Sequence, residues 1–353
     1  MNHPDEPTQA MPADAIEAAA ANDDPTVESE ATAVLDTEPR RGPSPLVWLV
    51  AGVLVLALIG GIVWFTVTTT RQNREAAMRD TALAYYNSVA GGMAAEALEL
   101  LAVPPANTAL LTDAVLAASN EAAPLTDIRV GALGGTDDAP TVEVTYQLGD
   151  SPVTTWVPLV AEGSNWRITD GTVDLTVPER RALTVNGVEL TEEVNPVFPG
   201  SYLASPVSDK VALAGEPTAL VTDASQEGAR IEVTVGLSEL GTQTVLNTVK
   251  GRFDECLAST ESRPANCPFG VSTDGVEVTP GSVRFTLVND PWAGFAPTLD
   301  PATLVASGTF NQQLTATATV SRDGLTTDAT TALNNDRGYA VDLTKDPATV
   351  SWS

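Results

Sequence analysis

His3 is the only histidine in this sequence, and Cys256 and Cys267 are its only cysteines. Those three positions decide most of what the chain cannot do. A Ser-His-Asp or Cys-His arrangement needs an imidazole beside the nucleophile, and residues 4–353 contain none. A zinc site built from cysteine and histidine lacks ligands for the same reason. A serine–lysine dyad would have to use Lys210, Lys250 or Lys345, yet no serine stands three residues before any of them. Exposed charge is the ordinary role of a lysine. Beyond residue 70 there are 36 acidic side chains, which leave acid–base chemistry by a carboxylate pair open. No GxxxxGK[ST] or GxGxxG loop is present to cradle a phosphate, and no EF-hand loop to hold calcium. Asp137–Asp138 and Asn334–Asp336 read as acidic, solvated loops. We therefore expect no catalytic, cofactor or metal site. Cys256 and Cys267, a close pair separated by ten residues, favour a disulfide over two free thiols.

The element that positions everything else is residues 42–70, which contain no charged side chain. About 20 apolar residues in helical form cross a ~30 Å hydrocarbon core. The core of this run is Leu46 to Val67, with Trp48, Trp64 and Phe65 where interfacial aromatics belong. The run divides the net charge of −28. Residues 1–44 carry ten acids and two arginines, and residues 71–353 carry 36 acids and 16 basic residues. So acidic a surface repels phosphate backbones and excludes nucleic acid as a partner. The N-terminal flank has Arg40 and Arg41, the C-terminal flank Arg71, Arg74 and Arg79. Counted literally, that slightly favours the C-terminal side as cytoplasmic. Long domains cross largely regardless of charge, however, and the cysteine pair suits an oxidising compartment. The expected topology is a cytoplasmic N-terminus and extracellular C-terminal domains at the plasma membrane. The bilayer is then a partner through residues 45–70.

Residues 1–44, with six prolines among Ala, Asp, Glu and Thr, read as a disordered cytoplasmic tail. After the span, Met78, Ala82, Tyr85 and Val89 mark one helical stripe that Gly91–Gly92 stops. A second helix ends at Pro104–Pro105, and a third runs from about Leu110 to Ser119. The period then drops to two: Ile128 and Val130; Val142, Val144 and Tyr146; Val153, Thr155, Val157 and Leu159; Trp166 and Ile168. Asn186-Gly187 is the turn pair expected of a type I′ hairpin. Leu246, Val249, Phe253 and Leu257 restore a helical period, with Ser238 as a cap. Strands follow at Val283–Leu287, Leu304–Phe310, Leu314–Val320, Tyr339–Leu343 and Val350–Trp352.

Two stretches carry a resemblance. AYYNSVAGGMAAEALELL, with strands closing on GSNWRITDG, resembles the nuclear-transport-factor-like or cystatin-like domains tethered outside the membrane of Gram-positive envelope proteins. TVNGVEL with VFPGSYLAS resembles the small β module that follows such a domain in TcaA-like envelope proteins. The resemblance implies an α+β architecture of helix-plus-antiparallel-sheet domains around that module. The parts are a tail (1–44), a transmembrane helix (45–70), a first α+β domain (71–172), the β module (173–236) and a second α+β domain with the disulfide loop (237–353). Some enzymes of the nuclear-transport-factor-like family use an aspartate buried in the cone. Asp127 and Asp170 flank strands here and would qualify only by pointing inward; both stand beside turn residues.

The expected function is that of a non-catalytic envelope module binding a ligand or an envelope protein. Two alternatives stay open: an acid–base enzyme using a buried carboxylate, and a signalling element whose tail reports on the exported domains.

Overall fold

The computed structural model describes residue 68 and residues 70–353. The expected tail, and the expected span apart from Thr68 and Thr70, lie outside the described residues. Among the described residues no helix is long and apolar enough to cross a membrane. The architecture is mixed α+β, with several antiparallel sheets and few helices.

Helix α1 covers residues 70–90. Its stripe of Met78, Ala82, Tyr85, Tyr86 and Val89 is buried, as the 3.6-residue period requires. Gly92, at φ +72, turns the chain out of the helix. The Asn120 side chain then donates to the freed carbonyls of Val89 and Ala90 at 3.0 and 3.1 Å. Helix α2 (Ala94–Glu99) and helix α3 (Asp113–Ala122) follow, α3 capped by Thr112, whose hydroxyl accepts from the Val115 amide. Four strands then form an antiparallel sheet in chain order: β1 (Leu125–Gly135), β2 (Pro140–Leu148), β3 (Ser151–Glu162) and β4 (Asn165–Ile168). Strand β2 alternates buried and half-buried residues along its whole length, the mark of one face on a core. In β1 the register shifts twice, between Thr126 and Arg129 and between Val130 and Leu133. Ile128 and Val130, expected on an inward stripe, are therefore only half-buried.

Nine short strands come next: β5 (Val173–Thr176), β6 (Leu183–Val185), β7 (Val188–Glu189), β8 (Val194–Val197), β9 (Gly200–Pro206), β10 (Val211–Glu216), β11 (Thr218–Val221), β12 (Ala229–Arg230) and β13 (Glu232–Leu237). They pair as β11-β9-β6-β7, β12-β5-β8 and β10-β13. Asn186 and Gly187 sit at φ +45 and +82 between β6 and β7, the left-handed pair of a type I′ turn. Asn186 does more than turn: its side chain donates to the Ser201 carbonyl at 3.1 Å and accepts from the Leu203 amide at 2.8 Å.

These strands interlock with the helices before them. Leu110 and Val115 are buried in the core of the β strands, and Phe198 in the core beneath α1. The fully buried Ser119 hydroxyl of α3 accepts from the Ser201 amide at 2.8 Å. Gly200 permits that approach, because a Cβ there would lie 2.2 Å from Ser119 Oγ.

The distal part opens with α4 (Glu239–Leu257), its Ser238 cap accepting from Gly241 N at 2.9 Å. The buried stripe is Val245, Val249, Phe253 and Cys256. Leu246 and Leu257, expected on it, are half-buried. A six-stranded sheet faces the helix: β14 (Glu277–Val278), β15 (Arg284–Leu287), β16 (Thr298–Asp300), β17 (Val305–Arg322), β18 (Leu325–Asp342) and β19 (Thr349–Trp352). Cys256 and Cys267 form a disulfide. Phe253 packs edge-on against Phe269, Trp292 and Phe310, with centroids 5.4–5.6 Å apart. Strands β17 and β18 pair without interruption over eighteen residues each. Residues 334–336, read from sequence as an acidic loop, lie within β18.

Candidate functional site

Neither sequence-nominated aspartate enters the core of the first sheet. Asp127 sits at φ +54 in the bulged part of β1 and is exposed. Asp170, just past β4, is exposed as well. The core beneath the first sheet is packed with Tyr85, Tyr86, Tyr146, Trp166, Ile168 and Phe198, none more than 8% exposed. Tyr86 and Tyr146 have ring centroids 5.0 Å apart, and Tyr85 packs edge-on against Tyr86 at 5.1 Å.

One open space is a cleft of about 270 Å³ beside β3, lined by Tyr86, Thr155, Val157, Pro158, Asp170 and Ser225. Its position follows from the sheet. Strand β4 pairs only with Leu159–Glu162 of β3, so among the described residues the preceding stretch of β3 has no strand beyond it. Residues 222–226, arriving from β11, cover part of that edge. Tyr146 donates its hydroxyl to the Thr222 carbonyl, and Thr155 Oγ1 reaches Asp223 Oδ1 at 3.5 Å. Asp223 Oδ1 also accepts from the Ser225 amide at 2.8 Å and from the Ser225 hydroxyl. The loop is thus held by an Asx turn on one side and a tyrosine on the other.

Burial holds the hydroxyls of Tyr85, Tyr86 and Tyr146 far above the ordinary phenol pKa. Neighbouring phenols and the Asp223 carboxylate act in the same direction: Asp223 faces Tyr86 and Tyr146, and Tyr86 with Tyr146 faces Tyr85. These tyrosines are neutral hydrogen-bonding groups at any physiological pH and cannot serve as bases. The cleft offers hydroxyls, a carboxylate at its rim and apolar walls; the Ser225 hydroxyl is held by the Asp223 carboxylate, and no histidine or lysine lines the cleft.

Sequence reasoning named Asp170 and missed Tyr86, Asp223 and Ser225. Asp223-Ala-Ser225 is an Asx-turn pattern, but nothing in it announces a cleft partner 68 residues earlier in the chain. Of the three lysines, Lys250 and Lys345 are exposed and Lys210 is half-buried. The Lys210 carbonyl accepts from the Ser238 amide at 3.0 Å, at the start of α4. Among the described residues no group of three or more His, Cys, Asp or Glu side chains converges to hold a metal ion.

A larger recess, about 410 Å³, lies between α1 and the β1–β2 hairpin and is lined by Arg71, Arg74, Glu75 and Asp137. Arg74 is already engaged there, lying 5.0 Å from the Trp166 ring and donating to the Asp137 carbonyl at 2.9 Å. The cleft beside β3 is the better candidate because its polar groups, Tyr86, Thr155, Asp170 and Ser225, converge from four separate segments.

Comparison with known proteins adds no relative: no family model matches the chain, no curated protein matches it, and no solved structure matches it.

Proposed function

We propose that the chain is a single-pass, membrane-anchored envelope protein whose exported domains bind a ligand or a partner protein without catalysing a reaction on it. The filled interior of the first sheet carries this reading. A nuclear-transport-factor-like enzyme would need an open cone with a carboxylate inside, whereas here tyrosines and a tryptophan pack the core beneath the sheet and both nominated aspartates face solvent. The shallow cleft at Tyr86, Asp170 and Ser225 suits a small hydroxyl- or ammonium-bearing group, because its polar groups are neutral acceptors and carboxylates.

The proposed topology, N-terminus cytoplasmic and residues 71–353 outside, draws on the disulfide, which suggests an extracytoplasmic part. The structure also supplies a reason for arginines after the apolar run that has nothing to do with orientation. Arg74 lies over Trp166, and Arg79 donates to the Gly131 carbonyl at 3.2 Å, so both fasten α1 to its sheet. A membrane-impermeant protease added to intact cells is expected to digest the region beyond Arg71 and spare the tail. Protection of Cys256 and its surroundings would reverse the orientation.

Absence of a nucleophile–histidine pair leads to a second expectation. An active-site serine probe should label no specific serine in the purified full chain, and stoichiometric labelling of one serine would replace the binding reading with a catalytic one.

A further inference from the structure

We infer that the outer edge of β18 is a docking surface for a second copy of the same chain, joining two distal sheets into one across a two-fold axis at Thr331. The edge is open for most of its length, since β19 pairs only with Tyr339–Asp342. Which backbone groups point outward follows from the ladder. Gly338 and Ser353 exchange both amide–carbonyl bonds at 3.0 Å, so Gly338 faces away from β17, and every second residue before it does too. Thr326, Asp328, Thr330, Ala332, Asn334 and Asp336 therefore present six amides and six carbonyls along one line, with no strand beside them among the described residues.

Exposed edges of this length are normally blunted by charged side chains, proline, a bulge or a covering segment, and here Asp328 and Asp336 are the only charges along the open stretch. Leu325–Asp336 contains no proline, lysine or glycine, and its pairing with β17 has no bulge. Its first eight residues are exposed on both faces. Apart from Leu325 and Asp328, the side chains there are threonine or alanine, which lets a second strand approach closely.

The strand's own sequence points to itself as occupant. Antiparallel pairing about Thr331 places Thr326 opposite Asp336, Asp328 opposite Asn334 and Thr330 opposite Ala332 of the second copy. All six outward residues are then used, and no like charges face each other. Moving the axis to Ala332 sets Asp328 against Asp336, which is destabilising. Moving it to Thr330 puts Asp336 opposite Gly324, in the turn, and forfeits a pair at each end. The same register sets Leu333 of the second copy opposite Ala329. There it lies along the mouth of an apolar cavity of about 160 Å³ lined by Val271, Val278, Ala316, Ala318, Ala329 and Thr331. Such a contact is isologous and closes on itself, so it yields a dimer rather than a filament.

The test uses the full chain in its membrane, where both native cysteines are tied up and a single introduced thiol is unambiguous. Thr331 lies at a non-hydrogen-bonded position, where facing Cα atoms are about 4.5 Å apart, within disulfide reach. Thr327 of the two copies would be offset by eight residues, about 27 Å. Under mild oxidation Thr331→Cys should form covalent dimers at least roughly tenfold faster than Thr327→Cys, as these separations require. Ala329→Cys mixed with Leu333→Cys should crosslink only as the heteropair. Thr331→Lys, on an exposed site, should leave the far-ultraviolet circular dichroism unchanged while light scattering of the detergent-solubilised full chain falls from dimer to monomer. Equal crosslinking at 327 and 331, or a parent chain of monomer mass, overturns the inference.

Discussion

Replacing Cys256 with serine should lower the melting temperature of the distal part by roughly 10–20 °C under oxidising conditions, from a loss of about 3 kcal/mol. The disulfide spans eleven residues, and the segment it closes contains no helix or strand beyond the end of α4. Closing a loop of this size removes about 3 kcal/mol of chain entropy from the unfolded state. The bond also ties the last turn of α4 to the approach of Phe269, which packs on Phe253 at 5.4 Å. Arg252 adds a weaker clasp over the same loop, donating to the Ala265 carbonyl at 3.0 Å. Reductant should reproduce the shift in the parent chain and do nothing further to the variant. The first part, whose core shares no residue with the distal one, should keep its melting temperature. Two free thiols in the natively expressed protein by mass spectrometry would remove both the stabilisation and the argument from compartment.

Where one face of an element meets a core, the sequence was readable. The α1 stripe, the β2 and β3 alternation and the Asn186-Gly187 turn all occur where the residue periods place them, because burial and left-handed φ leave few alternatives. Legibility failed where the backbone departs from its period or where burial gives no signal. The bulges in β1 left Ile128 and Val130 only half-buried at the margin of the core. The long β17–β18 hairpin was missed although Asp323-Gly324, at φ +51 and +81, is a strong turn pair. Its flanking residues, Ser321-Arg322 and Leu325-Thr326-Thr327-Asp328, show no apolar alternation because neither face of that end of β18 is buried.

The candidate cleft was illegible for a different reason. Tyr86 reads as one more residue of a helical stripe, and Thr155 as one more inward strand position. Only the fold brings residues 222–226 against them. Asp170 was found because it flanks a strand, but the same rule also selected Asp127, which lies on an exposed bulge. Proximity to a strand end therefore nominates acids without telling which of them reaches a cleft.

Alkaline pH should unfold the first two parts cooperatively, beginning just above pH 10 and before the buried tyrosines themselves titrate. Tyr85, Tyr86, Tyr146 and Tyr202 are each at most 2% exposed, and burial holds the pKa of all four well above the ordinary phenol value of 10. A folded pKa above the unfolded one means that the unfolded chain releases its phenolic protons first. Stability is then whole below pH 10 and falls as pH rises from there toward the folded values. Each such tyrosine costs about 1.4 kcal/mol per pH unit in that window, so four together remove about 6 kcal/mol by pH 11. That is comparable with the ~5–15 kcal/mol by which domains are normally stable. Tyr202 couples the two parts, since its hydroxyl donates to the carbonyl of Phe198, a member of the core beneath α1, at 2.7 Å. Tyrosinate absorbance near 295 nm and the loss of far-ultraviolet circular dichroism should therefore rise and fall in one sharp step. Tyr146→Phe should make that step shallower by removing one ionisable group. Tyr339, whose pKa is pushed only to about 12, belongs to the distal part, and Tyr339→Phe should leave the step in place. A gradual titration centred on pH 10 with the helices intact would show that these phenols are open to solvent, and would undo the filled interior on which the non-catalytic reading depends.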